Sequence, residues 1–575
     1  MSGQARRARE LVVNASLVGS TAVAHLVEDP FLFALQTARR LPRVRALSRL
    51  VGGPGAGPVR HAVAAWLADR PAEAREHLDR ATPRTRAVRR VSDELAVQLG
   101  VEPGAHAAPR TVARSAWTHG HLTAAVEVLG GDDALGRRYA DALAQLQGRT
   151  PAQKRGRTGG HGPVRPAGLS ALHVLVNSLP HTQSGYAARS HAVLRAQAAA
   201  GIRVVAATRL GYPVTVGAVA ARHRDVVDGV TYHRLLPGRL PRTESGRLQR
   251  QVEMVEALVR EHRPAVLHTT THHPNAWVTR AVAARTGLPW VYEVRGLLED
   301  SWVARRTAAG QDDAADSEYY RLSRERETEA ALSADHVVTL SETLAADLVG
   351  RGVPTDRITV VPNGVDEALL TAERVEPADA REHLGLPRDG FWVGTVSSLV
   401  DYEGLETLLQ AVAALRRRDV DVRVCLAGDG VSRPSLVGLA HSLELGEHAV
   451  FPGRVDRHRA RDWHKALDVF AVPRHDVRVC RMVTPLKPVE AMALERPVVV
   501  SDLPALRELV TAPGTGLPVP AGDVAGWAAA LQRLMLSDDD RLRFAAAGRS
   551  FASGRTWASA GQTYRVLYED LGVRV

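Results

Sequence analysis

Three scarcities bound what this 575-residue chain can be. It holds two cysteines, Cys425 and Cys480, too few for a disulfide framework or a cysteine-built zinc site. Cys425 lies inside an apolar run and reads as a core residue, which fits a reducing, cytoplasmic compartment. Aromatic residues make up 5% of the chain, and no motif places them among basic residues, so no nucleic-acid partner is expected. Long apolar runs are also missing. The most hydrophobic early stretch, LVVNASLVGSTAVAHLVEDP, follows Arg6, Arg7 and Arg9 and is interrupted by Asn14, Ser16, Ser20, His25 and Glu28. That is short of the roughly 20 apolar residues of a membrane span, and it lacks the clean core and cleavage site of a signal peptide. It reads as an amphipathic helix, either docked on the next domain or lying peripherally on a membrane; docking fits better.

What is present is ordinary for a globular protein: 45% hydrophobic and 24% charged residues, with length for about three to five domains. The net charge of +11 is the one departure. It reads either as a generally Arg-rich surface or as attraction to an anionic partner.

Residues 1–147 read as an all-helical domain. Trp66, Ala74 and Leu78 recur 51 positions later as Trp117, Ala125 and Leu129, with turn residues between each aromatic and small residue, as in tetratricopeptide-like helix pairs. Such a domain would dock a protein partner. Residues 148–168, rich in Gly, Pro and Arg, read as a flexible basic linker. Residues 169–375 and 376–575 each alternate short apolar strands with helical spacing, which predicts two doubly wound α/β domains facing a cleft, the final helix returning to the first.

The stretch from Cys480 to Leu509 organises the second of these: a polar loop, a short helix carrying Glu490, then the all-apolar run Pro497–Val500. This is how an α/β fold offers backbone N–H groups and one carboxylate to a phosphorylated ligand. Together with PNGVD at Pro362–Asp366, the sequence TPLKPVEAMALERPVVVSD at Thr484–Asp502 resembles the GT-B glycosyltransferases of glycosyltransferase family four, over residues 169–575.

The resemblance implies a retaining, metal-independent transferase. It would take a UDP-, GDP- or ADP-sugar as donor, need no separate cofactor, and use a glycan, lipid-linked or small-molecule hydroxyl as acceptor. Glu490 matches the family glutamate that grips the ribose, with Thr484, Pro485 and Leu486 in the donor loop. The family's other glutamate, eight positions earlier, is Met482 here. Glu403-Gly404 stands where the family has the Lys-Gly of its diphosphate clamp. Arg474 and Lys487 are therefore the expected cations on the pyrophosphate, with backbone donors at Ser397 and Ser398. Gly453, Arg454 and Val455 match the loop that meets the nucleobase.

In the first domain, His272 matches the histidine beside the reacting sugar, and Gly185 the loop where acceptor and donor approach. Arg295 is expected on the cleft or paired with Glu299 or Glu327. His268, His272 and His273 have no nearby acidic ligand set and no helical i, i+4 pair, so no metal site is expected. A non-catalytic GT-B binding module is the rival reading, supported by Met482 and Glu403.

Overall fold

The computed structural model describes residues 3–40, 51–53, 55–68, 70–149, 164–456 and 459–572. Most of the expected linker, residues 150–163, and Asp69 of the first repeat's turn lie outside them.

Eight strands form the first sheet: β1 (Ser170–Leu175), β2 (Arg203–Thr208), β3 (Arg224–Val227), β4 (Val230–Arg234), β5 (Val266–Thr270), β6 (Trp290–Val294), β7 (His336–Thr339) and β8 (Ile358–Val360). Their order is β3-β4-β2-β1-β5-β6-β7-β8, parallel except for β3, which pairs antiparallel with β4. The second sheet holds β9 (Phe391–Val396), β10 (Val422–Ala427), β11 (Ala449–Gly453), β12 (Val469–Val472), β13 (Val498–Ser501) and β14 (Gly516–Val519). They run parallel in the order β11-β10-β9-β12-β13-β14. β9, β10, β12 and β13 are buried along their whole length, as parallel strands covered on both faces must be.

The covering helices start where the sequence supplies caps. The side chains of Ser184, Thr243, Ser317, Ser341, Asp523, Ser537 and Thr556 each accept a first-turn backbone N–H, an interaction worth about 1 kcal/mol apiece. The β3–β4 hairpin turns on Asp228-Gly229, both at positive φ (46° and 80°), the geometry of a two-residue type I′ turn.

Among the described residues, only helices precede the first sheet. The helical hairpins Pro58–Leu67/Pro71–Asp79 and Pro109–Thr118/Leu122–Leu129 stand at the 51-residue spacing of the tryptophans. Trp66, Ala74 and Leu78 share one buried cluster, while Trp117 stacks on Tyr139 at 4.1 Å. These helices sit on the first α/β half. Glu318 accepts from the Thr123 N–H and hydroxyl (both 2.7 Å), Gln311 donates to His119 O (2.8 Å), and Asp141 accepts from the Ser245 N–H (2.9 Å). Gly120, at φ +87°, lets the backbone pass so close to Ser317 and Trp302 that a β-carbon would collide with both. The first helix, Gly3–Glu28, docks as expected. Asn14 donates to the carbonyls of Val219 (3.0 Å) and Ala221 (2.8 Å), and Leu17 is fully buried against Val214, Ala221 and Leu236.

Candidate active site between the two sheets

Every candidate position of the second half follows a carboxyl end of a strand: Ser397 after β9, Gly453 at the end of β11, Arg474 after β12, and Lys487 on the helix Lys487–Ala493 between β12 and β13. The first half presents its own carboxyl ends, with His272 after β5 and Arg295 after β6. The halves touch. Asn363 donates to Thr484 O at 3.0 Å, and a β-carbon on Gly296 would lie 4.0 Å from Val483 and collide with the Tyr186 hydroxyl. Residues 483 and 484 of the second half therefore meet the loops after β6 and β8 of the first.

On the helix Lys487–Ala493, which follows that segment, Lys487 Nζ lies 2.8 Å from Glu490 Oε2. Burial works against the carboxylate's charge, but the Lys487 ammonium outweighs it and holds the pKa down at about 2. His464 is buried against Phe470 with its Nε2 3.7 Å from the same oxygen, too far for a hydrogen bond, and burial lowers its pKa so that the ring is neutral. Among the described residues, Lys487 supplies the positive charge paired with Glu490. The Thr484 hydroxyl is buried without a hydrogen-bond partner among the described residues, and Pro485 and Leu486 are half-buried beside it.

Arg474 is not the free cation expected from its position. It donates from Nε (3.2 Å) and Nη2 (2.8 Å) to the two oxygens of Glu403, and from Nη1 to Val483 O (3.0 Å). Burial disfavours its charge, but Glu403 more than restores it, and the pKa is raised. Glu403, unlike a clamp lysine, neutralises this arginine, and the pair pins the loop that leads to Thr484. Ser397 also departs from expectation: its N–H is spent on Ala427 O at 3.0 Å, so it has no backbone donor left for a phosphate. Ser398 is exposed. Gly453 (φ +80°) turns the chain, Arg454 is exposed, and Val455 packs against the core of the second half.

In the first half, Arg295 pairs with neither Glu299 nor Glu327. It donates to Glu293 Oε2 (2.6 Å) and Ser190 Oγ (2.6 Å), because Glu293 lies two residues back along β6 and points to the same side of the sheet. Glu327 is instead taken by His273 and the Tyr292 hydroxyl. The network around Glu293 joins segments far apart in the sequence. Arg189 donates to Glu293 Oε1 and to Val361 O, Pro362 O and Asn363 Oδ1, which ties PNGVD to the helix Gly185–Ala199. Burial opposes the Glu293 charge, but Arg295 and then Arg189 hold its pKa well below the carboxylate range. His268 completes the set, 3.2 Å from Glu293 and 2.7 Å from the Tyr568 hydroxyl. Gly185 is exposed at the start of its helix with open space around it. His272 has a buried Nδ1 without a partner among the described residues, and burial, with His273 beside it, lowers its pKa to about 4. At neutral pH it is an uncharged imidazole.

Among the described residues no three His, Cys, Asp or Glu side chains gather as a metal site. A groove of about 850 Å³ along the helix Glu318–Ser333 and a cavity of about 190 Å³ by His273 and Trp277 are lined by none of Lys487, Glu490 or Arg474. Neither is the gap between the sheets.

Two doubly wound sheets meeting at their carboxyl edges, with a lysine–carboxylate pair on the second, define a glycosyltransferase of the GT-B fold. Residues 184–364 match the glycosyl transferase 4-like domain, and residues 378–551 match glycosyl transferases group 1. A D-inositol 3-phosphate glycosyltransferase of Frankia alni is 30% identical over 309 residues, covering 50% of this chain and 71% of that protein. One of Xylanimonas cellulosilytica is 33% identical over 257 residues, covering 42% of this chain and 58% of the relative. Among solved structures, sucrose-phosphate synthase from Thermosynechococcus elongatus superposes with TM-score 0.57 at 22% identity, over 70% of this chain and 99% of that one. Anabaena HepE in complex with UDP-glucose gives 0.51 at 17%, over 70% and 99%. The chain belongs to glycosyltransferase family four, enzymes that move a sugar from a nucleotide sugar to an acceptor.

Proposed function

We propose that this protein is a retaining, metal-independent glycosyltransferase whose donor pyrophosphate rests against Lys487, beside Glu490 on the ribose. The observation that carries the reading is the 2.8 Å Lys487–Glu490 contact, on the segment that meets the first half through Asn363 and Thr484. A cation already fixed by a carboxylate is preorganised to meet charge that grows on the leaving nucleotide, and such preorganisation is the usual source of transition-state stabilisation. In this reading the acceptor hydroxyl attacks from the face the nucleotide leaves. Neutral His272 accepts or donates a hydrogen bond to the sugar, and Arg295, held by Glu293, shapes the cleft floor. The positive charge is thus carried by Lys487, with Arg474 acting through the loop it pins. The donor is a UDP-, GDP- or ADP-sugar. The names of the relatives make an inositol phosphate the first acceptor to try, ahead of glycans and lipid-linked sugars. A cytoplasmic location fits the two buried free thiols.

A donor panel with each acceptor tests this. Lys487→Ala is expected to lower kcat/KM by about a hundredfold or more, the usual cost of one electrostatic stabiliser. Glu490→Gln is expected to raise the nucleotide dissociation constant about tenfold, since a charged partner of the ribose is worth about 1.5 kcal/mol. The rival, a binding module without turnover, is favoured by the neutralised Arg474 and by Met482. Tight nucleotide binding with no donor consumed in any pairing would establish it instead.

A further inference from the structure

The net charge of this chain is not spread evenly. Residues 1–168 carry 25 Lys and Arg against 14 Asp and Glu, whereas residues 169–575 carry 49 of each. The whole excess of +11 therefore belongs to the segment that precedes the two sheets, while the part that holds the nucleotide sugar is balanced. Attraction of the donor does not explain it.

The first helix, Gly3–Glu28, is apolar on both of its faces. Its inward face carries Leu17, fully buried, and Asn14, which is buried and bonded to two carbonyls of the first half. Its outward face carries Leu11, Val12, Ala15, Gly19, Val23 and Leu26, all exposed, with Val12 at 69% and Val23 at 63%. Residues 11–26 contain no Asp, Glu, Lys or Arg. A surface helix normally turns its apolar stripe to the core and its charges to solvent. Val219, whose carbonyl receives Asn14, and Val216 from the same loop add exposed apolar side chains beside it. Arg6, Arg7 and Arg9 stand at the amino end of this helix. Elsewhere in the helical part, Arg84, Arg86, Arg89 and Arg90 make no ion pair among the described residues, and all four are exposed. Three of them lie in the first turns of the helix Arg86–Gln98, where the helix dipole disfavours cations, so they are not there for the helix's own stability.

We propose that the outward face of the helix Gly3–Glu28 seats on an anionic lipid bilayer, drawn there by the basic excess of the N-terminal 168 residues. An apolar stripe uninterrupted by charge enters the headgroup boundary, and exposed arginines of the same N-terminal segment meet lipid phosphates. A highly charged soluble polymer would use the arginines but gain nothing from exposed valines. No described helix is long and apolar enough to cross a membrane, so the contact lies on the surface.

The test is flotation of the full chain with phosphatidylcholine vesicles, with and without phosphatidylglycerol. Binding is expected only with the anionic lipid, and it should weaken as salt rises. The pair Val12→Glu, Val23→Glu alters two exposed positions and is expected to reduce binding about tenfold or more, with circular dichroism unchanged. Replacing Arg84, Arg86, Arg89 and Arg90 by Gln should weaken binding up to about fivefold per arginine and flatten the salt dependence. Equal binding to uncharged vesicles, no binding to either, or full binding by the Val12→Glu, Val23→Glu variant would overturn the proposal. So would a concentration-dependent dimer in sedimentation that these two substitutions abolish, which would give the face to a second copy of the chain.

Discussion

At the scale of single residues, the most informative one is Glu403. From the sequence it looks like a lost phosphate cation; in the fold it is the partner that lets Arg474 be buried. Removing one member of a buried pair strands the other charge, whereas removing both does not. Glu403→Ala is therefore expected to cost about 3 kcal/mol in denaturant unfolding, and the double change Glu403→Leu, Arg474→Met far less. The double variant also separates roles: retained turnover leaves Arg474 as a loop anchor, and abolished turnover in a stable protein assigns it to the pyrophosphate. Glu299 offers a second test. It is buried with Arg351 Nη1 at 3.1 Å from one oxygen, while the other oxygen has no partner among the described residues. Burial first, then Glu327, raises its pKa to about 7. Because the folded pKa lies above the unfolded one, this group costs nothing below about pH 4.3, and its penalty grows as pH rises towards 7. Thermal unfolding between pH 5 and pH 8 should show that loss, up to about 3 kcal/mol, and Glu299→Gln should flatten it.

At the scale of elements, Gly404 shows how a turn fixes a side chain. Its φ is +65°, and a β-carbon there would run into Pro473 O and the His475 ring. Gly404→Ala is expected to destabilise by more than about 2 kcal/mol and to shift the Glu403–Arg474 loops; urea unfolding measures the first, nucleotide affinity the second. The same scale shows what could be read in advance. β9, β10 and β12 follow their apolar runs residue for residue, because a buried parallel strand is a short apolar run and little else. The β3–β4 hairpin escaped the reading of the sequence despite its Asp228-Gly229 turn, because it lies at the sheet's edge and lacks the apolar runs of its neighbours. β14 (GLPV) is four residues with a proline, too little signal for a strand. The candidate site was legible as far as motifs carry local chemistry: Lys487 and Glu490 are three residues apart on one helix. Pairings between distant segments, such as Arg474 with Glu403 or Arg189 with PNGVD, depend on which strands become neighbours, and no local pattern states that.

At the scale of the molecule, the two sheets are joined by more than the chain between them. Arg478 of the second half bonds Asp300 and Asp347 of the first, and Glu508 receives the Glu342 and Thr343 N–H groups at the start of the helix Glu342–Gly350. Polar contacts of this kind leave small relative movements of the halves as the default. Arg478→Ala is expected to increase the radius of gyration in solution scattering and to lower kcat/KM about three- to tenfold through the donor's KM, because part of the binding energy then goes into closing the gap.

The last helix, Trp557–Asp570, packs not on its own sheet but on the first one, where Tyr564 and Tyr568 are fully buried and Tyr568 bonds His268 and Gln197. On the ribosome, residues 170–360 therefore emerge long before the strap that seals their back. The first sheet must wait, with His173 and His268 uncovered, until some two hundred further residues have been translated. Throughout that interval the first domain lacks the Tyr568 hydroxyl that His268 and Gln197 share in the finished fold.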